Sequence, residues 1–155
     1  MNTEENTPND IARRSIVVSR TYDAPRELVF SMWTDPVHIV KWWGPSGFTN
    51  TVQEMDVRPG GAWRHTMHGP DGVDYKNDSV YVDVKRPSLL SYQHSAPRFL
   101  ATVTFVEDGA GTKVTLSMVF PDAELRDRIV RDHNAIEGGN QTLGRLAELL
   151  SKETR

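Results

Sequence analysis

The chain has 155 residues, no cysteine and a net charge of −3. A single domain of that length buries roughly two-thirds of its unfolded surface and needs no covalent staple. The composition excludes disulfides, thiolate metal sites and a cysteine nucleophile, and fits a reducing, cytoplasmic setting. Acidic and basic residues are interspersed, so no basic stripe points to nucleic acid or an anionic membrane. No apolar run approaches the ~18–20 residues that span a bilayer.

The start, MNTEENTPNDIARR, is polar and lacks the apolar stretch of a signal peptide. Residues 1–12 are expected to be a disordered tail, with one domain over 13–155. Residues 14–22 (RSIVVSRTY) are rich in β-branched side chains and read as a strand. Asp23 is the expected cap of a short helix in which Leu28, Val29 and Met32 recur at helical spacing. Asp35-Pro36 opens a second short helix, about 36–42. Phe48–Arg58 reads as the next strand, and Pro59-Gly60-Gly61 as a turn. In 62–68, Trp63, His65 and Met67 share one face while Arg64, Thr66 and His68 share the other. Residues 73–85 alternate Val80, Val82 and Val84 with Tyr81 and Asp83. Three more strands follow: 89–95 (Leu90, Tyr92, His94 together), 99–107 (Phe99, Ala101, Val103, Phe105) and 112–120 (Val114, Leu116, Met118, Phe120). Pro121-Asp122 starts a helix whose apolar positions run to about residue 151. Gly138-Gly139 marks a kink in it or a close approach to the sheet. Strand, two short helices, six strands and a long helix imply an α+β architecture with a curved antiparallel sheet wrapped around the last helix.

Several ordered motifs carry a resemblance. Tyr22-Asp-Ala-Pro25, Trp33-Thr-Asp-Pro36, Lys41-Trp-Trp-Gly-Pro45, Asp56-Val-Arg-Pro-Gly-Gly61 and Met67-His-Gly-Pro-Asp-Gly72 are similar to the SRPBCC superfamily, the START and birch-pollen-allergen-like helix-grip fold. Within it the chain resembles the branch related to the C-terminal domain of the activator of the heat-shock protein 90 ATPase. The resemblance implies a cavity between sheet and long helix, used by members for lipids, sterols or polyketides. Members often carry a Gly-Trp pair in the last helix. Here Gly139-Asn140 stands in that place, which is expected to make the cavity larger or more polar.

The expected cavity lining from the strands is Trp63, His65, Met67, Tyr92 and His94, then Phe99, Met118 and Phe120. His133 and Gln141 are expected to add polar groups from the helix. Trp42 and Trp43 either stack a ligand or buttress a loop. His65 reads as a satisfied core residue, a ligand anchor or a general base. His133 and Glu137, at i,i+4, read as a solvated face or an acid–base pair over the cavity. His65, His133 and Glu137 are therefore the catalytic candidates. Neither a metal site nor a cofactor is expected: His65 and His68 point to opposite faces, and no HExxH or dinucleotide fingerprint occurs. Three functions follow. The leading one is binding of a small apolar or amphipathic molecule. The second is a polyketide cyclase or hydrolase. The third is a chaperone ATPase-activator-like module in the stress response. An exposed sheet edge also leaves room for a homodimer.

Overall fold

Alternation in the sequence becomes alternation in burial. In the computed structural model, which describes residues 7–153, seven strands form one antiparallel sheet. They are β1 (Ser15–Tyr22), β2 (Thr49–Met55), β3 (Ala62–His68), β4 (Asp74–Lys85), β5 (Leu89–His94), β6 (Phe99–Asp108) and β7 (Gly111–Val119). Their order is β1-β7-β6-β5-β4-β3-β2, so six consecutive strands meander and the first closes against the last. Helices α2 (Arg26–Thr34) and α3 (Pro36–Ile39) follow β1, and α4 (Ala123–His133) and α5 (Ala135–Glu153) end the chain. This is the expected α+β helix-grip arrangement.

Leu90, Ala101, Val103, Phe105, Val114 and Leu116 form the buried inner face. Val80 and Val82 are exposed on the outer face. Register shifts at Val52/Glu54 in β2 and Tyr81/Asp83 in β4 bend the sheet. At the second bend, Tyr81 exchanges backbone hydrogen bonds with the 60–61 turn, donating to the Gly61 carbonyl and accepting from Gly60 N–H. A Cβ at Gly61 would overlap the Asp56 carbonyl oxygen, so only glycine fits there.

Four expectations change. Residues 1–6 lie outside the described residues, but the rest of the expected tail is ordered as α1 (Pro8–Arg13). Thr7 caps that helix, and Arg14 fastens it by donating to the Phe120 carbonyl. Asp23 does not cap α2; Pro25 holds the N-cap position without a side-chain bond. The long helix is not continuous. Asn134 adopts φ 49°, ψ 48°, a left-handed conformation that ends α4 before α5 begins. The break is therefore at Asn134 and not at Gly138-Gly139. The glycine pair instead permits close approach: an added Cβ would lie 3.2 Å from Val18 Cγ2 at Gly139 and 3.4 Å from Pro45 Cγ at Gly138. Last, Asn140 is exposed, so it does not face the interior and does not make a cavity larger or more polar.

Helix α5 is held down by polar ties, two of them made by Tyr22 and Arg145. Tyr22 Oη donates to the Leu143 carbonyl at 2.8 Å. Arg145 Nη1 donates to the carbonyls of Trp43, Gly44 and Pro45, and Nη2 donates to that of Phe48. Replacing Arg145 with Met should leave the Gly44 and Phe48 carbonyls without this donor, while Trp43 keeps Asn50 Nδ2 and Pro45 keeps Phe48 N–H, and should lower unfolding free energy by about 2–3 kcal/mol in urea denaturation. Arg145→Lys, with donors radiating from one point, should restore less than half of that. A Met variant within ~0.5 kcal/mol of the parent would contradict the assignment.

Candidate functional site

Because α5 crosses the sheet on glycines, the two layers do not close completely. A hollow of about 270 Å³ remains under the first turns of α5. Strand β3 contributes Trp63, His65 and Met67, β5 contributes Tyr92 and His94, and β7 contributes Leu116 and Met118. Asn77 and Ser79 of β4 and Phe99 at the start of β6 complete the floor. Trp43, Gly44 and Pro45 wall one end, while His133, Ala135, Gly138, Gly139 and Thr142 form the roof. Pro45, Met67, Asn77, Pro97, His133 and Gly138 also border a wider outer groove of about 770 Å³ that includes Phe48, Tyr75, Ile129 and Gln141.

The hollow brings together most of the expected lining residues and separates two. Phe120 packs instead beside Phe99, where its neighbours in a separate shallow groove are Ile11, Arg14 and Arg98. It lies one residue past β7, where the chain turns towards α4. Gln141 borders the outer groove, and its Oε1 accepts from Ser46 N–H at 3.2 Å. Helical spacing identified the right helix but not which side of it faces inward. Sequence reasoning missed Ser79 and Asn77. The available signal was their phase: they share alternation with buried Tyr81, opposite exposed Val80 and Val82.

The tryptophans divide by role. Trp42 is fully buried, and its Nε1 donates to the Met32 carbonyl, so it buttresses the loop. Trp43 packs edge-on to Trp63 at 5.3 Å and lines the hollow. Trp63 in turn stacks on His65 at 4.5 Å and 18°.

The two inward histidines differ sharply. His94 is fixed at both ring nitrogens, by the Pro97 carbonyl oxygen and by the Asn77 side chain, each at 2.7 Å. His65 is only 4% exposed, yet neither ring nitrogen has a hydrogen-bond partner among the described residues. Ser79 Oγ is likewise buried and unpartnered. Burial removes water from His65 and, aided by the like charge of His94, pulls its pKa down to about 4. At neutral pH it is therefore an uncharged imidazole with one donor and one acceptor. A base that weak is poorly matched to proton abstraction near pH 7. Ser79 and His65 do not bond each other, so no nucleophile–base pair is formed.

For His133 and Glu137 the structure agrees with the solvated face and not with the acid–base pair. They sit on different helices across the left-handed Asn134, so helical i,i+4 geometry does not join them. Both are exposed, and Glu137 Oε1 meets Gln141 Nε2 at 3.5 Å. His68 faces outward as expected, bridging Thr51 and Asp74 on the far side of the sheet from His65. Among the described residues, no group of three His, Asp or Glu is placed to hold a metal ion. No helix among them is long and apolar enough to cross a membrane.

Residues 23–151 match the family model described as activator of Hsp90 ATPase homolog 1-like protein. The chain belongs to that family. Its fold is similar to that of a Mycobacterium smegmatis protein, at 26% identity and TM-score 0.84, over 93% of this chain and 95% of the other. A Nitrosomonas europaea protein matches at 23% identity and TM-score 0.82, over 92% and 97% of the two chains. The AHSA1 protein from Silicibacter pomeroyi matches at 22% identity and TM-score 0.73, over 90% and 99%. No curated protein matches the sequence.

The His65 geometry has a consequence for stability. Its folded pKa lies below the unfolded value near 6.5, so between those pH values the unfolded chain binds more protons. Stability from this group is complete above about pH 6.5 and is lost as pH falls towards 4, by about 3 kcal/mol in all. Urea denaturation of the parent and of His65→Phe at pH 7 and pH 4 should show the parent losing more on acidification, by that margin. Equal losses would place His65 in contact with water.

Proposed function

We propose that this member of the activator of Hsp90 ATPase homolog 1-like family is a small-molecule binding protein whose site is the hollow beneath α5. The observation that carries the reading is His65: a buried imidazole beside a space walled by aromatic and methionine side chains, with both nitrogens unpartnered. A buried polar group without a partner costs on the order of 1–3 kcal/mol, and a ligand that supplies the partner recovers that loss. Ligand pockets in general combine apolar walls with a few such polar groups. Met67 and Met118 give the walls adaptable contact area. The outer groove gives the ligand a route in, since Met67, Pro97 and His133 border both spaces.

A panel of uncharged one- and two-ring compounds should shift amide resonances of β3, β5 and the first turns of α5 in ¹H–¹⁵N spectra. Ala135→Trp, which places an indole in the roof, should weaken any such binding at least tenfold while the remaining resonances persist. A panel that moves no resonance, or only resonances far from the hollow, would end this reading. The family description also carries a second reading, stimulation of a chaperone ATPase through an exposed face. The same variant separates the two, because filling the hollow leaves the exposed faces of the sheet intact.

A further inference from the structure

Resting on the ligand-binding reading above, we propose that the hollow takes an uncharged aromatic ring compound bearing a hydroxyl group, with that hydroxyl shared between His65 and Ser79. Four observations converge on this class. The first is size. A hollow of about 270 Å³ equals about nine waters at ~30 Å³ each, or on the order of ten non-hydrogen atoms at interior packing density. That admits one or two fused rings and excludes a full lipid or sterol.

The second is the walls. Trp43, Trp63, Tyr92 and Phe99 surround the space, and Trp63 already meets Tyr92 edge to face at 5.1 Å. Such walls favour a further ring in an edge-to-face or offset contact. The third is charge. Among the described residues, no Asp, Glu, Lys or Arg lines the hollow. His133, at the exposed mouth, and His94, held by Pro97 and Asn77, are its other titratable groups besides Tyr92 and His65. A carboxylate or ammonium placed there would lose its hydration with no ion to pair with.

The fourth is the polar pair. Ser79 lies directly opposite Trp63 in the β3–β4 register, so it is the diagonal neighbour of His65 on the same face. Neutral imidazole offers one donor and one acceptor, and the serine hydroxyl offers both. A hydroxyl on the ligand matches both partners at once, donating to one and accepting from the other. A bare carbonyl or an ether accepts only and leaves an acceptor unused. The low basicity of His65 supports the same conclusion, since the ring stays uncharged throughout the neutral range.

The test compares 2-naphthol, naphthalene and 2-naphthoate by ¹H–¹⁵N shift titration at pH 7 on the full chain. 2-Naphthol should bind at least tenfold tighter than naphthalene, the worth of about one satisfied hydrogen bond, and at least tenfold tighter than 2-naphthoate. His65→Phe should bring 2-naphthol to within about threefold of naphthalene, both measured on that variant. Ser79→Ala, a smaller change, should weaken 2-naphthol alone, so the idea stays testable even where His65→Phe perturbs the fold. Equal binding of 2-naphthol and naphthalene to the parent, or tighter binding of 2-naphthoate, would overturn this inference and leave the hollow standing as a binding site. Failure of all three, together with the wider panel, would remove the binding site itself.

Discussion

One guanidinium sets the geometry on which the rest depends. The loop from Trp43 to Phe48 has little regular structure, and its Gly44-Pro45 step includes a residue without an N–H. The Trp43 carbonyl accepts from Asn50 Nδ2 and that of Pro45 from Phe48 N–H, and Arg145 of α5 gathers both together with the carbonyls of Gly44 and Phe48. This ties the roof helix to the wall of the hollow. An added Cβ at Gly139 would press on Val18, while one at Gly138 would only touch Pro45, so the glycine at 139 is the one that lets the helix sit low. Polar ties pull the helix down, and a side chain at 139 would push the roof up.

Within that space the protein treats two similar residues differently. His65 and His94 face the same way from β3 and β5, and both are buried. One is locked at both nitrogens and shapes the wall; the other is left open. Among the described residues other buried side-chain groups also lack a partner, but His65 is left open at both ring nitrogens, and Trp63 Nε1 and Ser79 Oγ beside the same hollow are open too. The open group is also made weakly basic by its burial, which favours recognition over proton transfer. No carboxylate stands behind it to orient or charge it, in contrast to the arrangement that general-base histidines need.

Much of this was legible in the sequence because strand periodicity is local. Trp63, His65 and Met67 share a face by simple alternation, and so do Tyr92 and His94, without any knowledge of the neighbours. The same reasoning placed His68 on the opposite side. Features set by tertiary packing were harder to read. The 122–151 segment carries one continuous apolar pattern, yet Asn134 breaks it, and a single left-handed residue leaves almost no mark on periodicity. That break removes the helical i,i+4 spacing that the acid–base alternative for His133 and Glu137 required. Gln141 turned outward because helix rotation is fixed by Arg145 and Tyr22, both distant partners. Phe120 continues the alternation of β7 but falls just past its end, where the chain has already turned. Ser79 was missed for another reason: small polar residues in a valine-rich strand read as solvent-facing, whereas here Val80 and Val82 face solvent.

The aromatic cluster has an optical consequence. All four tryptophans of the chain lie in one contiguous chain of rings, from Trp33 through Trp42 and Trp43 to Trp63, with neighbouring centroids 4.8–5.5 Å apart. Indoles held that close and that rigidly exchange excitation and couple their transition dipoles. The indole contribution to near-ultraviolet dichroism and emission should therefore behave as one coupled set of rings, one end anchored in the deep core and the other bordering the hollow.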